Sequence, residues 1–546
     1  MPEAPVATQG QDQKQEIEHK EAATAEQKTS SEKFKTTFKD YMKSSFGTLI
    51  QKPQGRPPNM WKQFISLNNK QRLTFAAAFL GWTCDAYDFF CVSLGVTSIA
   101  EDFGVQPSDV TSAITTTLML RSIGALIFGI AADRWGRRWP LMIDIILFSV
   151  INMASGFAPN LQTFIGLRAL FGIAMGGEWG LGASLALETL PIESRGLFSG
   201  IYQEGYAAGY LLAALVNYAV QITGSTWRIM FWAGAAFALL AVGIRFFVPE
   251  SEAFEKTKEA RKIMSRSFFK EIWLMIKFHW IRVIYMIILM AFFNFLSHGS
   301  QDLYPTFLKT QLGYSTTDQT VTSVIYNVGA IVGGTVIGFY SSWLGRKLCI
   351  ALSCIFVGAF IPLWIYAPNM QSLQFGSFVM QFFVQGAWGV IPAHLNELSP
   401  AAFRGLMPGL AYQLGNLISA ASSQIQASLG EKYPLRNPDG SLVMRDGKTV
   451  ADYGKTQAIF MGVVAGCLLI VTILGREERN KNFLDNFIED EHGNAITSQD
   501  LDDFRLEQGE TSGSQRKKQV EPNETERTDS LPEKIDVKHT EDVAAK

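Results

Sequence analysis

GIAADRWGRR at residues 129–138 and GFYSSWLGRK at residues 338–347 are two copies of one motif, and they decide the fold. Each copy follows an apolar run and ends in two basic residues, and the copies lie 209 positions apart. Two further pairs share this spacing: GEWG at 177–180 with GAWG at 386–389, and ETLPIESRG at 188–196 with ELSPAAFRG at 397–405. Three motifs in one register indicate an internally duplicated chain.

The composition of the 546-residue chain is that of a membrane protein. Only 18% of the residues are charged, whereas soluble domains usually carry about 25%. More than half of these charges lie in the ranges 1–60, 249–277 and 476–546, so the remainder could not cover a water-soluble surface. The net charge of −2 provides no basic excess for nucleic acid. We therefore expect the lipid bilayer, and no nucleic acid, as the surroundings of this chain.

Twelve apolar windows have about the length that crosses a bilayer. We number them spans 1 to 12, and they lie near 73–96, 111–132, 139–158, 161–186, 198–221, 227–248, 278–308, 320–342, 347–366, 372–393, 406–428 and 455–475. The duplication relates spans 1–6 to spans 7–12. The predicted fold class is an all-α membrane protein built from two parallel six-helix repeats, the plan of transporters with a binding site near the midplane.

The polar ranges divide this plan into domains and orient it. We expect an N-terminal tail at 1–60, helix bundles at 61–248 and 278–475, a linker at 249–277 and a C-terminal tail at 476–546. Lys and Arg concentrate in the short loops after even-numbered spans, which predicts that both termini are cytoplasmic. The tails have the composition of disordered segments that could bind regulatory partners. No apolar signal sequence precedes span 1, so span 1 is expected to direct membrane insertion.

The charged residues of the repeated motifs predict a cytoplasmic latch. Acid and base recur together at one register, so ion pairs could close this face in one state and break in another. The alternative is that these charges only cap helices and contact lipid headgroups. Ser342 stands where the first repeat has Asp133, which predicts a weaker contact on that side. The predicted latch residues are Asp133, Arg134, Arg137, Glu188, Arg195, Arg346, Glu397 and Arg404.

Ionisable residues inside apolar spans are costly to bury and are therefore candidates for function. Asp85 and Asp88 share one face of span 1. Arg121 lies ~18 Å of helix away from the motif that ends span 2, close to the bilayer midplane. Its guanidinium is planar and permanently charged, which suits a carboxylate. The alternative is that Arg121 forms an ion pair with Asp85 or Asp88 in the empty protein. In span 4, Arg168 and Glu178 are either functional or a structural ion pair.

Span 7 contains the polar run NFLSHGSQDLYPT at residues 294–306. Asn294, His298 and Gln301 fall within a narrow arc of one helix face, which lipid would reject. That face is expected to line a cavity, the alternative being an interhelical hydrogen-bond network. The run resembles the N-xx-[ST]-H-x-[ST]-Q-D-xxx-T signature of the fungal JEN-type monocarboxylate/proton symporters. The paired loop motifs resemble those of the wider major facilitator superfamily.

This resemblance implies uptake of short monocarboxylates such as lactate, pyruvate or acetate together with a proton at the plasma membrane. Succinate or malate, or another organic anion, are alternative substrates, and a nutrient receptor that does not transport is the alternative class. The expected substrate-binding residues are Arg121, Asn294, Ser297, His298, Gln301, Thr306, Gln413 and Asn416. Tyr202, Gln203 and Tyr206 in span 5 are expected to shape the pocket.

Coupling to a proton needs a side chain that gains and loses one within the transport cycle. A buried carboxylate or a histidine can do this near neutral pH. The candidates are Asp85, Asp88, Glu178, His298 and Asp302, and the sequence does not choose among them. No nucleophile motif, Walker loop or metal-ligand cluster stands out, so we predict neither an enzyme nor a metal or cofactor.

Overall fold

The computed structural model describes residues 59–484 apart from 438, 446 and 447, together with the short stretches 45, 47–50, 488–489, 495–496 and 500–501. The disorder predicted for 1–44 and for 502–546 therefore falls outside the described residues. Helices lie at all twelve predicted spans. The fold class, an all-α membrane protein of twelve spans, is confirmed.

Spans 1 to 6 form the first bundle. Their helices are Asn69–Phe103, Pro107–Trp135, Arg138–Ser155, Leu161–Met175 with Glu178–Thr189, Arg195–Gln203 with Gly205–Ile222, and Arg228–Phe246. Spans 7 to 12 form the second bundle. Their helices are Phe268–Gln301 with Tyr304–Thr306 and the π-helical turn Phe307–Gln311, Thr316–Leu344, Arg346–Ile365, Met370–Leu398, Leu406–Ser419 with Ser422–Lys432, and Tyr453–Leu474.

Nine helical segments of the described residues are long and apolar enough to cross a membrane by length and composition. Spans 1, 10 and 11 are not among them. These spans carry more polar side chains, such as Asp85 and Asp88 in span 1 and His394 and Glu397 in span 10, and those four are buried. Their polar groups face neighbouring helices, so a hydropathy average underestimates how well such a span fits the bilayer.

Spans 4 and 5 are broken helices. Span 4 is interrupted at Gly176 and Gly177, and span 5 at Glu204. A side chain at Gly176 would place its Cβ 2.1 Å from the carbonyl oxygen of Arg121. Only glycine therefore lets spans 2 and 4 approach so closely at the depth of Arg121.

The loops contain short elements of their own. The helix of span 7 begins at residue 268, ten residues before the predicted apolar window. The helix Glu252–Ile263 precedes it, and the side chain of its N-cap Ser251 accepts a hydrogen bond from the Phe254 amide. The remaining elements are the helix Met60–Ser66, the 3-10 turns Ile192–Ser194 and Ala401–Phe403, and the hairpins Met444–Arg445 with Lys448–Thr449 and Ile488–Glu489 with Ala495–Ile496.

The two bundles meet closely at one end. Span 5 crosses span 8, where a Cβ at Gly200 would lie 2.3 Å from the Gly334 carbonyl oxygen. Span 4 crosses span 11, where a Cβ at Gly180 would lie 2.5 Å from the Gly409 Cα. Such small-residue contacts permit main-chain approach between membrane helices. We call this end the basic-loop face; it carries Arg137, Arg195, Arg346 and Arg404.

Candidate functional site

Each repeat has one buried Arg–Glu pair at the basic-loop face. Arg137 Nη2 lies 3.1 Å from Glu188 Oε1 in the first repeat. Arg346 donates from Nε and Nη2 to the two carboxylate oxygens of Glu397, each at 3.0 Å, in the second. The pairs are related by the 209-residue offset, as are the motifs that contain them. A bidentate pair of this kind is strong and directional.

Two capping contacts join the bundles across this face. The carboxylate of Asp133 accepts hydrogen bonds from the amides of Gly405 and Leu406, both at 2.9 Å, where the first helix of span 11 begins. The hydroxyl of Ser342 accepts one from the amide of Gly196 at 3.1 Å, at the start of span 5. Asp133 and Ser342 are equivalent positions of the duplication, and so are Gly405 and Gly196. Asp133 therefore accepts two charge-assisted hydrogen bonds across the face, whereas Ser342 accepts one neutral hydrogen bond.

Three predicted latch residues make contacts of another kind. Arg134 is exposed, with its guanidinium over the ring of Trp135. Arg195 Nη1 donates to the carbonyl of Lys481 at 2.5 Å, and Arg404 Nη1 donates to that of Phe483 at 3.2 Å. Arg195 and Arg404 therefore bind main-chain carbonyls of the C-terminal segment, whereas the predicted latch closes this face by ion pairs.

Residues 476–484, which we call the C-terminal segment, pack against the basic-loop face. The Phe483 ring is only 1% exposed and lies between Arg195 and Arg404, whose guanidinium carbons are 3.7 and 4.1 Å from its centre. Glu477 accepts a hydrogen bond of 2.9 Å from the Lys347 amide. Burial raises the pKa of the Glu477 carboxyl to about 7. The predicted disorder of the C-terminal tail is wrong for this segment, because one buried aromatic ring and two arginines fix it.

A cavity of about 520 Å³ lies between the bundles. Its wall comes from spans 1, 2, 5, 7, 8, 10 and 11, and the lining residues of spans 1 and 7 fall in the half of each span away from the basic-loop face. His298 and Asp302 on this wall remain 30% and 34% exposed. The cavity is thus accessible from the opposite face while the basic-loop face is closed.

Arg121 supplies the fixed positive charge of the cavity. It is the only arginine or lysine among the described residues that line it. Its side chain is 3% exposed, and Nη2 lies 3.5 Å from Oδ2 of Asp85. Nε and Nη2 of Arg121 are buried without a hydrogen-bond partner, as are both carboxylate oxygens of Asp85. This long ion pair leaves donors of the guanidinium available for another anion.

One face of span 7 lines the same cavity as Arg121. The Asn294 amide donates to the Met290 carbonyl at 2.9 Å, and His298 Nδ1 lies 3.2 Å from Asp302 Oδ2. The Gln301 amide donates to the Gln381 side chain at 3.1 Å. The structure brings the following predicted residues together on the wall: Arg121, Asn294, Ser297, His298, Gln301, Asp302 and Asn416, with Gln203 and Tyr206 from span 5.

Other predicted residues do not line the cavity. Gln413 is fully buried, and its side-chain oxygen accepts a 3.2 Å hydrogen bond from Asn416, so it orients a wall residue. Thr306 and Tyr202 are also not among the lining residues. Among the acids, Asp85, Asp88 and Glu178 are fully buried behind the wall.

Asp88 belongs to a buried network within the first bundle. Its carboxylate accepts a 2.7 Å hydrogen bond from Asn152, whose side-chain oxygen accepts one of 2.8 Å from Arg168. Arg168 also donates to the main-chain carbonyl of Asp88 at 3.4 Å. The contacts of Arg168 are therefore with Asp88 and Asn152, and the alternative Arg168–Glu178 ion pair does not form.

Glu204 is a cavity residue that the sequence reasoning missed. It lies at the break in span 5 and contributes to the wall beside Gln203. The signal was present, because Glu204 is an ionisable residue inside an apolar span, the criterion that also selected Arg121.

Two six-helix bundles around a central polar cavity define a membrane transporter of the alternating-access class. The family model described as Major Facilitator Superfamily matches residues 75–423, and the chain belongs to that superfamily. Over 426 residues it is 33% identical to the carboxylic acid transporter protein homolog of Saccharomyces cerevisiae, an alignment that covers 75% of this chain and 68% of the relative.

Two further likenesses are more distant. The chain is 28% identical over 357 residues to the cis,cis-muconate transport protein of Acinetobacter baylyi, covering 64% of this chain and 85% of that protein. The solved structure of the proton:xylose symporter XylE has a TM-score of 0.57 and 21% identity, covering 75% of this chain and 97% of its own. These relatives and the fold they share are those of transporters, not of enzymes.

Proposed function

We propose that this protein carries short monocarboxylates, such as lactate, pyruvate or acetate, together with protons across the plasma membrane by alternating access. Arg121 is the observation on which the proposal rests. A carboxylate entering the cavity meets one buried cation with unused donors, and amide and imidazole groups of span 7 face it across the space. Buried donors without partners favour a ligand that can accept from them.

The cavity also favours coupling to a proton. An anion that crosses alone carries its charge through a low-dielectric region, whereas an anion with a proton crosses neutral. The pair of His298 and Asp302 faces the cavity and is partly exposed, so it can exchange protons with the solution there. Asp85 competes with the substrate for Arg121, so its protonation would release the guanidinium to the substrate.

The basic-loop face provides the second half of the cycle. We assign it to the cytoplasm with both termini, in agreement with the concentration of Lys and Arg in its loops. The cavity then opens to the outside in this conformation. Transport would require the Asp133 and Ser342 contacts to break and the C-terminal segment to release, so that the bundles rock about the cavity.

Dicarboxylates such as succinate and malate are the second candidate substrates. The observation in their favour is a relative named for transport of muconate, which carries two carboxylates. A second carboxylate would need its own cation, and His298 in its protonated form is the available one on the wall. A receptor that binds carboxylates without moving them is the remaining alternative.

Uptake by the purified protein in proteoliposomes tests the proposal. Radiolabelled lactate, pyruvate, acetate, succinate and malate would each be offered with an inward proton gradient, and again after a protonophore has collapsed it. We expect accumulation of the monocarboxylates above equilibrium only with the gradient. Accumulation that is unchanged by the protonophore would refute proton coupling. Preference for succinate would select the dicarboxylate alternative, and binding without uptake of any carboxylate would select the receptor.

A further inference from the structure

Glu204 is an acid on the cavity wall that lies outside the candidate set derived from the sequence. It occupies the break between the helices Arg195–Gln203 and Gly205–Ile222. Its Oε1 atom is buried and has no hydrogen-bond partner. The other acid on the described wall, Asp302, has His298 at 3.2 Å. Glu204 therefore lies on the cavity wall without the counter-ion that Asp302 has.

The position of Glu204 also links the two bundles. A Cβ at Gly334 of span 8 would lie 1.9 Å from Glu204 Oε1. The carboxyl of the first bundle thus packs against the main chain of the second, one helical turn beyond the contact between Gly200 and Gly334. Any movement of span 5 against span 8 has to move this carboxyl along a glycine surface.

The groups that face Glu204 do not neutralise it. From span 1 the wall receives Phe89, Phe90 and Ser93, and from span 10 it receives Gln385 and Trp388, none of them charged. The only ionisable wall residue of span 8 is Tyr326. The remaining ionisable wall residues are Arg121, Tyr206, Tyr210, His298, Asp302 and Tyr412. Of the positive charges among them, Arg121 is paired with Asp85 and His298 with Asp302.

We propose that Glu204 is a proton acceptor that must be neutral for the substrate anion to bind and for span 5 to move along span 8. A carboxylate on the wall repels a second carboxylate in the same low-dielectric cavity. Uptake of a proton from the outer solution converts Glu204 to the neutral acid, and the proton leaves to the cytoplasm after the bundles have rocked. Because linkage is reciprocal, the bound anion raises the proton affinity of Glu204 as much as the proton raises anion affinity. This inference rests on the proposed proton coupling.

Replacement by the neutral isostere tests the assignment. In wild-type proteoliposomes we expect the KM for the carboxylate to rise about tenfold per pH unit once Glu204 is deprotonated, as one linked proton requires. In Glu204→Gln we expect a rise of less than about twofold over the same range. We also expect Glu204→Gln to retain exchange of labelled for unlabelled substrate but to lose accumulation driven by the proton gradient. Glu101→Gln, which removes an exposed acid at the end of span 1, is the matched control and should behave as wild type.

The outcomes separate this inference from the proposed function. If the wild-type protein transports carboxylates without protons, both the proposed proton coupling and the role inferred for Glu204 are refuted. If wild-type transport is coupled to protons and Glu204→Gln shows the same pH slope and accumulation, the proposed function stands but Glu204 is not the proton acceptor.

If Glu204→Gln fails to fold, chemical labelling of the wild-type protein tests the proposal instead. Dicyclohexylcarbodiimide attacks protonated carboxyls in apolar surroundings, and mass spectrometry locates the adduct. We expect labelling at Glu204 that falls as the pH rises and is slowed by bound carboxylate. Absence of labelling at every pH would overturn the proposal.

Discussion

Arg346 at the basic-loop face and Arg121 in the cavity are the same residue type in opposite conditions. At the face, Nε, Nη1 and Nη2 of Arg346 all donate to Glu397 or to neighbouring serines. In the cavity, Nε and Nη2 of Arg121 have no hydrogen-bond partner, although Asp85 is 3.5 Å away. Satisfied buried charges hold a structure together, and unsatisfied ones cost stability until a ligand arrives. The same fold thus uses one kind of residue for closure at its end and for binding at its centre.

The largest effect should come from removing the unsatisfied cation. In Arg121→Ala we expect carboxylate uptake to fall at least ~100-fold, since a bidentate charged contact is worth about 3 kcal/mol. Arg121→Lys should restore little of the uptake, because an ammonium group cannot make the planar bidentate contact of a guanidinium with a carboxylate. The measurement is kcat/KM for labelled lactate at matched surface expression.

Arg436→Ala is the control for the Arg121 variants. Arg436 is an exposed cation in the long loop before span 12, outside the cavity wall. It should leave uptake unchanged. Transport of lactate by Arg121→Ala at the wild-type rate would exclude Arg121 from the binding site. It would also contradict the different roles given to Arg121 in the cavity and Arg346 at the basic-loop face.

The next effect concerns the unequal capping contacts. Asp133→Ser replaces a carboxylate that accepts from two amides of the second bundle with the hydroxyl found in the second repeat, so we expect the closed face to lose about 3 kcal/mol. Ser342→Asp makes the opposite exchange and should slow exchange with solvent at the amide of Gly196. Hydrogen–deuterium exchange of peptides covering 196–203 and 405–412 reads both contacts. Equal exchange in Asp133→Ser and wild type would show that the carboxylate does not hold the face.

The C-terminal segment should contribute less than the buried acids. Phe483→Ala removes a ring that lies between two guanidinium groups, and we expect the closed face to lose about 2 kcal/mol. Residues 476–484 should then exchange their amide hydrogens faster, and the populations should shift toward the conformation open at the basic-loop face. Phe247→Ala, at an aromatic side chain that is 74% exposed, is the control. Unchanged protection in the Phe483→Ala protein would mean that the segment is held by its main chain alone.

The smallest predicted effect is a pH dependence of that segment. Because burial raises the pKa of the Glu477 carboxyl from 4.5 to about 7, the docked segment binds this proton more tightly than the released one. Docking is therefore strongest at low pH and weakens as the pH rises from about 4.5 to about 7. We expect amide protection in 476–484 to fall between pH 5 and pH 8 after correction for intrinsic exchange. Glu477→Gln should remove this dependence, and a slope that persists in that variant would assign it to another group.

Much of the fold could be predicted because its determinants are periodic or repeated. The twelve apolar windows and the 209-residue offset are properties of the sequence alone. The extra length of span 7 and the docked C-terminal segment were not predicted, since both depend on contacts made by charged, locally polar sequence. Phe483 packs because Arg195 and Arg404 meet beside it, and they meet only once the two bundles have assembled.

The site could be predicted in its residue types and only partly in its geometry. Helical spacing placed Asn294, His298 and Gln301 on one face, and that face lines the cavity. Spacing could not tell which acid of span 1 lies beside Arg121, because Asp85 and Asp88 differ by less than one turn. Whether Gln413 contacts substrate or supports Asn416 depends on the rotation of span 11, which packing against span 7 determines.

The unequal capping of the two repeats gives opening a direction. The Asp133 carboxylate accepts hydrogen bonds from two amides of the second bundle, whereas the Ser342 hydroxyl accepts one from an amide of the first bundle. Judged by these two caps alone, the bundles are expected to part first between spans 5 and 8 and to turn about spans 2 and 11, although the Ser199 hydroxyl also joins span 5 to Gly389 and Ala393 of span 10. The contact that separates first is then the one beside Glu204. Protonation of Glu204 would therefore act between spans 5 and 8, where the bundles part, and not at spans 2 and 11, about which they turn.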